Sequence, residues 1–192
     1  MIGAMSLLDS HSQALAEFDR TVHLVKADQW DNSTPCTEWT VRDLVNHLVS
    51  EQLWVPHLLG GATLAEVGDR YDGDVLGDDP VRVWEESSRA AREAWTAEGA
   101  TERTVHLSFG DADASLYGWQ MVIDLAVHAW DLAMGIGAPQ PIEDDLAEEI
   151  IRVAGPIIEA AQAPGILAPP VAVPATASAP DRLVALCGRE PR

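Results

Sequence analysis

The chain has 192 residues, 47% of them hydrophobic, which is enough for one domain with a substantial core and too apolar for wholesale disorder. Its 31 Asp and Glu against 12 Lys and Arg give a formal charge of −19, which repels nucleic acid and anionic membranes and argues against both as partners. No apolar run reaches the ~18 residues of a membrane span, and the N-terminal stretch MIGAMSLLDSHSQALAEFD lacks a basic leader, so a cytoplasmic location is expected. Met1 and Met5 are both candidate starts. Cys36 and Cys187 are too few for a disulfide framework and are expected to be free thiols.

Residues 6–29 have helical spacing of Leu8, Leu15, Phe18, Val22 and Val25, with no Gly or Pro between. DNSTPC (31–36) reads as a loop. A second helix follows, with Thr40 as cap, Asp43 completing a capping-box variant, and Trp39 and Leu44 placed as a hydrophobic staple. Pro56 and the glycines at 60–61 bend or end it. Residues 61–79 are glycine-rich and acidic and read as a long connection. Asp79 then caps a helix with Pro80 at its first position, and Val81, Trp84, Ala91 and Trp95 make its buried stripe as far as Gly99. RTVHLSF (103–109) alternates weakly and predicts a short extended segment. Helices are expected over about 114–134 and 142–162, the latter kinked at Pro156.

The spacing therefore predicts four long helices, two minor ones and almost no strand, an all-α bundle with a long crossover. The whole of 1–192 is expected to be one domain. Residues 163–180, rich in Ala and Pro, should wrap the surface as extended chain, and 181–188 should form a short terminal helix.

QMVIDLAVHAWDLAMGIG (120–137) raises the functional question. The face through Leu116, Gln120, Ile123, Asp124, Val127, His128 and Asp131 is largely apolar and should point inward, yet it carries three ionisable groups. An isolated buried carboxylate costs several kcal/mol unless it is paired or ligates a metal. The i,i+4 spacing of Asp124 and His128 lets one helix offer two ligands to one ion. A site with an open position needs a third, and His47, in LVNHLV on the second helix, is the candidate. Glu51, one turn further on, is a candidate fourth ligand, orienting group or catalytic base, and Asp131 a candidate capping, orienting or proton-moving catalytic group. The competing reading is an internal Asp–His hydrogen bond without an ion. His57 is a candidate for a cavity mouth, and Trp54 and Trp119 for pocket walls. His11, His23 and His106 read as structural or exposed.

TPCTEWTVRDLVNHLV and DLAVHAWDLA resemble the metal-binding domain of mycothiol-dependent maleylpyruvate isomerases, within the DinB/YfiT-like superfamily. The tail is similar to that of small actinobacterial proteins of this type whose function is unassigned. The resemblance implies a four-helix bundle holding a divalent metal, zinc or alternatively nickel, on His47, Asp124 and His128. It also implies mycothiol or a related thiol as cosubstrate, a small electrophile as its partner, and a homodimer as an allowed assembly. The acid in the isomerases is often Glu, whereas here it is the shorter Asp124. Those isomerases also carry a further C-terminal domain, so the metal site is expected to transfer better than the isomerase activity. Three functions follow as expectations: thiol activation for S-transfer or isomerisation, metal-dependent hydrolysis, or non-catalytic metal or ligand binding.

Overall fold

A computed structural model describes residues 5–162 and 166–191. Ser6 and Asp9 form a capping box that starts α1 (Leu7–Val22). Thr40 and Asp43 do the same for α2 (Val41–Leu59), where Pro56 is accommodated inside the last turn. The connection after α2 holds a one-turn helix, α3 (Leu64–Val67). Asp79 and Pro80 open α4 (Pro80–Thr96). A 3-10 turn at Ala100–Glu102 leads to strand β1 (Thr104–Leu107), which pairs antiparallel with β2 (Gly110–Asp113). Then come α5 (Ala114–Ile136), α6 (Asp144–Gln162) and α7 (Ala179–Leu186).

α1 lies along α5 and α2 along α4, and contacts of α1 with α4 and α2 with α5 close a four-helix bundle. Phe18, Leu44, Leu48, Trp84, Val122 and Leu125, all fully buried, fill its centre. A second cluster at one end joins Val55, Trp95, Val105 and Tyr117, so the hairpin plugs that end. α6 packs on α5, and α7 on α6.

The structure corrects four expectations. α1 ends at Val22 and not near residue 29. The amides of Leu24 and Val25 donate back to Thr21 and Val22, tightening the last turn. The chain turns there because Val25 and Trp30 pack on the core and the Gln29 amide donates to the Ile136 carbonyl at 3.0 Å. Five helices of 16 residues or more are present among the described residues, not four, because α6 is a full helix outside the bundle. The extended segment at 103–109 is half of a hairpin whose second strand, GDAD, has no apolar alternation to announce it. The 61–79 connection contains a helical turn capped by Thr63 and Glu66.

Residues 166–178 contain no helix or strand, and the amide of Val171 bonds the Ala185 carbonyl at 2.9 Å, tying this segment to α7. Residues 163–165 at the start of the expected wrap, and Met1 as a candidate start, lie outside the described residues. No helix among the described residues is long and apolar enough to cross a membrane.

Candidate metal centre

α2 and α5 meet at mid-bundle, and there His47 faces Asp124 and His128. The Nε2 of His47 lies 3.2 Å from Asp124 Oδ2, and the Nε2 of His128 lies 3.3 Å from Asp124 Oδ1. One nitrogen from each imidazole and one carboxylate oxygen all fall within 4.8 Å of each other. Two rings from separate helices thus converge on a single carboxylate. The donor set, two neutral-capable imidazoles and one carboxylate, is that of an open zinc-type site.

The opposite nitrogen of His128 is also held. Its Nδ1 is 2.9 Å from Asp131 Oδ2, and Asp131 has no solvent exposure. Asp131 in turn accepts from Arg189, with Nη2 at 2.8 Å and Nε at 3.3 Å. The Asp131 carboxylate fixes the tautomer and the tilt of the ring, as carboxylates behind ligating histidines do. Asp131 sits behind the ring, on the side away from Asp124, which suits an orienting group better than a ligand.

Loop 31–39 closes this end of the site. Asn32 donates to the Gly135 carbonyl at 3.1 Å, and a Cβ on Gly135 would meet Thr34 Cγ2 at 3.1 Å and the Ser33 carbonyl at 3.3 Å. Glycine lets the loop lie this close to α5 without pushing it back by a few tenths of an ångström. That approach seats Trp39 against His47 and His128, with ring centroids at 4.9 and 5.7 Å. It also brings the Cys36 thiol into a second cluster with His128 and Asp131.

Electrostatics follow from burial set against pairing. Burial alone would raise the Asp124 carboxyl, but the charges of His47 and His128 outweigh it and hold the group well below the usual carboxylate range. Burial opposes charge on His128, yet Asp124 and Asp131 push it up to about 9. The His47 ring is raised in the same way by Asp124. At Glu51 the compensation falls short: burial, then the nearby Asp124 charge, push it up to about 7 against the lowering pull of His47 and His128. Without an ion, the cluster holds itself together as a charged network, and a cation would replace the two ring protons.

His47, Glu51 and Asp124 line a cavity of about 860 Å³ walled by α2, α5, the hairpin tip, α6 and residues 166–167. His47 also borders a second, more polar groove of about 690 Å³ beside Trp39, Asn46 and Tyr71. The long connection borders this second groove through Tyr71, Asp72 and Gly73, and the tail borders the larger cavity through Ile166 and Leu167. His57 does not: its Nε2 lies 2.7 Å from the Tyr71 hydroxyl, outside the larger cavity. Trp54 packs edge-on to Tyr71 and Trp119 against the main core, and neither borders that cavity. His11 is buried on Arg92, His23 bridges Asp19 and Glu85, and His106 pairs with Asp111 across the hairpin.

Fold and centre together define a helical-bundle protein with a two-histidine, one-carboxylate cluster between its second and fifth helices. The family model of the mycothiol maleylpyruvate isomerase N-terminal domain matches residues 11–133, and the chain belongs to that family. Two uncharacterized proteins, from two strains of Mycobacterium tuberculosis, are each 30% identical over 158 residues, 80% of this chain and 80% of theirs. The mycothiol-dependent maleylpyruvate isomerase superposes with a TM-score of 0.60 at 19% identity, over 80% of this chain and 70% of that one. A histidine-to-alanine mutant of it gives 0.61 at 20%. The bundle is thus the DinB-like fold of those structures.

Proposed function

We propose that the protein is a metal-dependent enzyme in which a low-molecular-weight thiol of the mycothiol type attacks a small electrophile. The observation that carries this is the convergence of His47 Nε2 and His128 Nε2 on Asp124, with the back of His128 braced by Asp131. These three residues would hold zinc, with nickel as the alternative. A divalent ion there supplies a Lewis-acid contact that keeps a thiol ionised at neutral pH. Family membership supports the thiol as cosubstrate.

The chain's own residues supply the rest. Trp39 packs on both imidazoles and shields them from water on one side. Glu51, in the cavity wall with a proton affinity near neutrality, accepts the thiol proton. In isomerisation the sulfur adds to one carbon of a double bond, the remaining single bond rotates, and loss of the thiolate restores the double bond. In S-transfer the adduct stays, and Glu51 returns its proton to the neighbouring carbon.

The test is metal content by elemental mass spectrometry on the untagged protein beside His47→Ala and His128→Ala. The expected result is about one zinc or nickel per chain, lost in both variants while the helical spectrum is kept. Absence of metal after reconstitution would make the cluster an internal polar network and sink the proposal. A cobalt-substituted protein then separates thiol chemistry from hydrolysis, because only sulfur entering the coordination sphere shifts its absorption strongly.

A further inference from the structure

The larger cavity differs in kind from a site for an anionic substrate. Maleylpyruvate, the substrate in the relatives' name, is a dicarboxylate. Yet no Lys or Arg occurs among the described residues that line this cavity. Its carboxylates are Glu51 and Asp124, its one basic group, His47, is already engaged by Asp124 at 3.2 Å, and the chain as a whole carries −19. A dicarboxylate entering it would lose its hydration and meet acidic side chains, and the one cation within its reach, an ion held at the inner end, would already carry the thiol and could answer only one of its two charges. The lining is otherwise apolar: Leu116, Met121 and Ile123 from α5, Ile157 from α6, and Leu167 from the tail. Phe109 on the hairpin and Ile166 on the tail belong to the same lining, yet they are 65% and 77% exposed. Large apolar side chains left in water at a cavity rim mark a surface built to meet an apolar partner. Ser108 and Gln120 are the uncharged polar groups available to orient it. The volume, about 860 Å³, suits a molecule well beyond a small acid.

We propose that the electrophile this protein takes is an uncharged, largely apolar organic molecule, bound between α5, α6, the hairpin tip and residues 166–167, and not a small dicarboxylate. That the occupant is an electrophile rests on the thiol chemistry proposed above; that it is neutral and apolar rests on the cavity alone. The metal centre forms the inner end of this cavity through His47 and Asp124, so a molecule seated there presents its reactive carbon to the thiol.

The test separates the two readings. The full-length protein is titrated with the neutral fluorophore N-phenylnaphthylamine, and the probe is displaced by dimethyl maleate or by maleate, which share a skeleton and differ in charge. The ester is expected to displace it at a concentration at least about 30-fold lower than the dianion. Equal or better displacement by maleate overturns the inference. Phe109→Ala with Ile166→Ala, at two exposed positions that leave the core untouched, is expected to weaken probe binding several-fold. Unchanged affinity would put the probe elsewhere and overturn it. So would a concentration-dependent dimer that the same double substitution dissolves and that excludes the probe, since the rim would then serve a second copy of the chain. Metal-loaded protein is finally given mycothiol and each maleate. Ester preference in binding with neither thioether adduct nor fumarate isomer formed upholds the cavity assignment and refutes the thiol chemistry; faster conversion of the dianion to adduct or isomer overturns the cavity assignment.

Discussion

The brace behind His128 makes the sharpest quantitative test of the site. Asp131 is fully buried and accepts three charge-assisted contacts, one from His128 Nδ1 and two from Arg189. Arg189 is itself only 11% exposed and has one other partner, the Cys187 carbonyl at 2.8 Å. Asp131→Ala therefore strands a buried guanidinium, at about 3–5 kcal/mol. Against a typical total of ~5–15 kcal/mol, that alone brings the variant near its folding threshold. Asp131→Asn keeps the shape and one acceptor oxygen. That oxygen, at the Oδ2 position, can still accept from His128 Nδ1 and Arg189 Nη2, but the negative charge is gone and the amide NH2 then faces the Arg189 Nε donor. The expected loss is ~2 kcal/mol.

The same substitution acts on the centre. His128 keeps its place on α5 but loses the anion that orients its ring and raises its basicity, which weakens metal binding about 10- to 100-fold. Urea unfolding of the metal-free proteins gives the first quantity, and zinc competition against a chromophoric chelator gives the second. Arg189→Met, alone and combined with Asp131→Asn, closes a double-mutant cycle. A coupling above about 1 kcal/mol is expected for a direct buried contact. If Asp131→Ala costs less than about 1 kcal/mol, or if Asp131→Asn binds zinc as tightly as the parent, the brace does not exist as described.

Two further outcomes test the scaffold. Burial pushes Glu17 from an ordinary 4.5 up to about 7, one oxygen accepting from the Glu143 amide at 3.0 Å and the other buried without a partner. The native state thus holds a proton that the unfolded chain has released. Stability is full below about pH 4.5, falls as the pH rises through 7, and the loss is complete above it. Glu17→Gln should be more stable than the parent by up to about 2–3 kcal/mol near pH 8, with the gain vanishing near pH 4.5; a pH-independent difference would refute the assignment. Gly188 holds φ +81° just before Arg189, and a Cβ there would lie 2.5 Å from Ala168 Cβ and 2.9 Å from its carbonyl oxygen. Gly188→Ala is expected to cost about 2–4 kcal/mol and to weaken zinc binding by displacing Arg189, measured by the same two assays.

Most of the helical frame was legible because local chemistry and burial agree there. Thr40 with Asp43, and Asp79 with Pro80, mark helix starts in the sequence and form the observed caps. Trp84, Ala91 and Trp95 read as one stripe and are buried as one. Where tertiary contact overrides local pattern, the reading failed. Helical periodicity continues past Val22, but packing of Trp30 and the Gln29–Ile136 bond turn the chain. The β2 strand GDAD is polar and glycine-led, so its pairing with β1 has no local signature.

The candidate centre divides along the same line. His47, Asp124 and His128 could be brought together from spacing because two of them share one helix face and the third lies on an apolar helix that must pack against it. Trp39 was visible as an apolar residue before a cap, but its seat on the two imidazoles depends on Gly135 admitting the loop, which no periodicity encodes. Cys36 arrives beside His128 by the same close approach. Arg189 had no signal at all, lying 58 residues from Asp131 beyond a segment that reads as surface wrap. Yet that wrap is what delivers it: Val171 bonds Ala185, α7 follows, and Gly188 turns the chain so the guanidinium reaches Asp131. The tail is therefore part of the site in two ways, bracing His128 from behind and offering Ile166 and Leu167 to the cavity in front. Substitutions that loosen the α7 contacts should lower metal affinity and probe binding together.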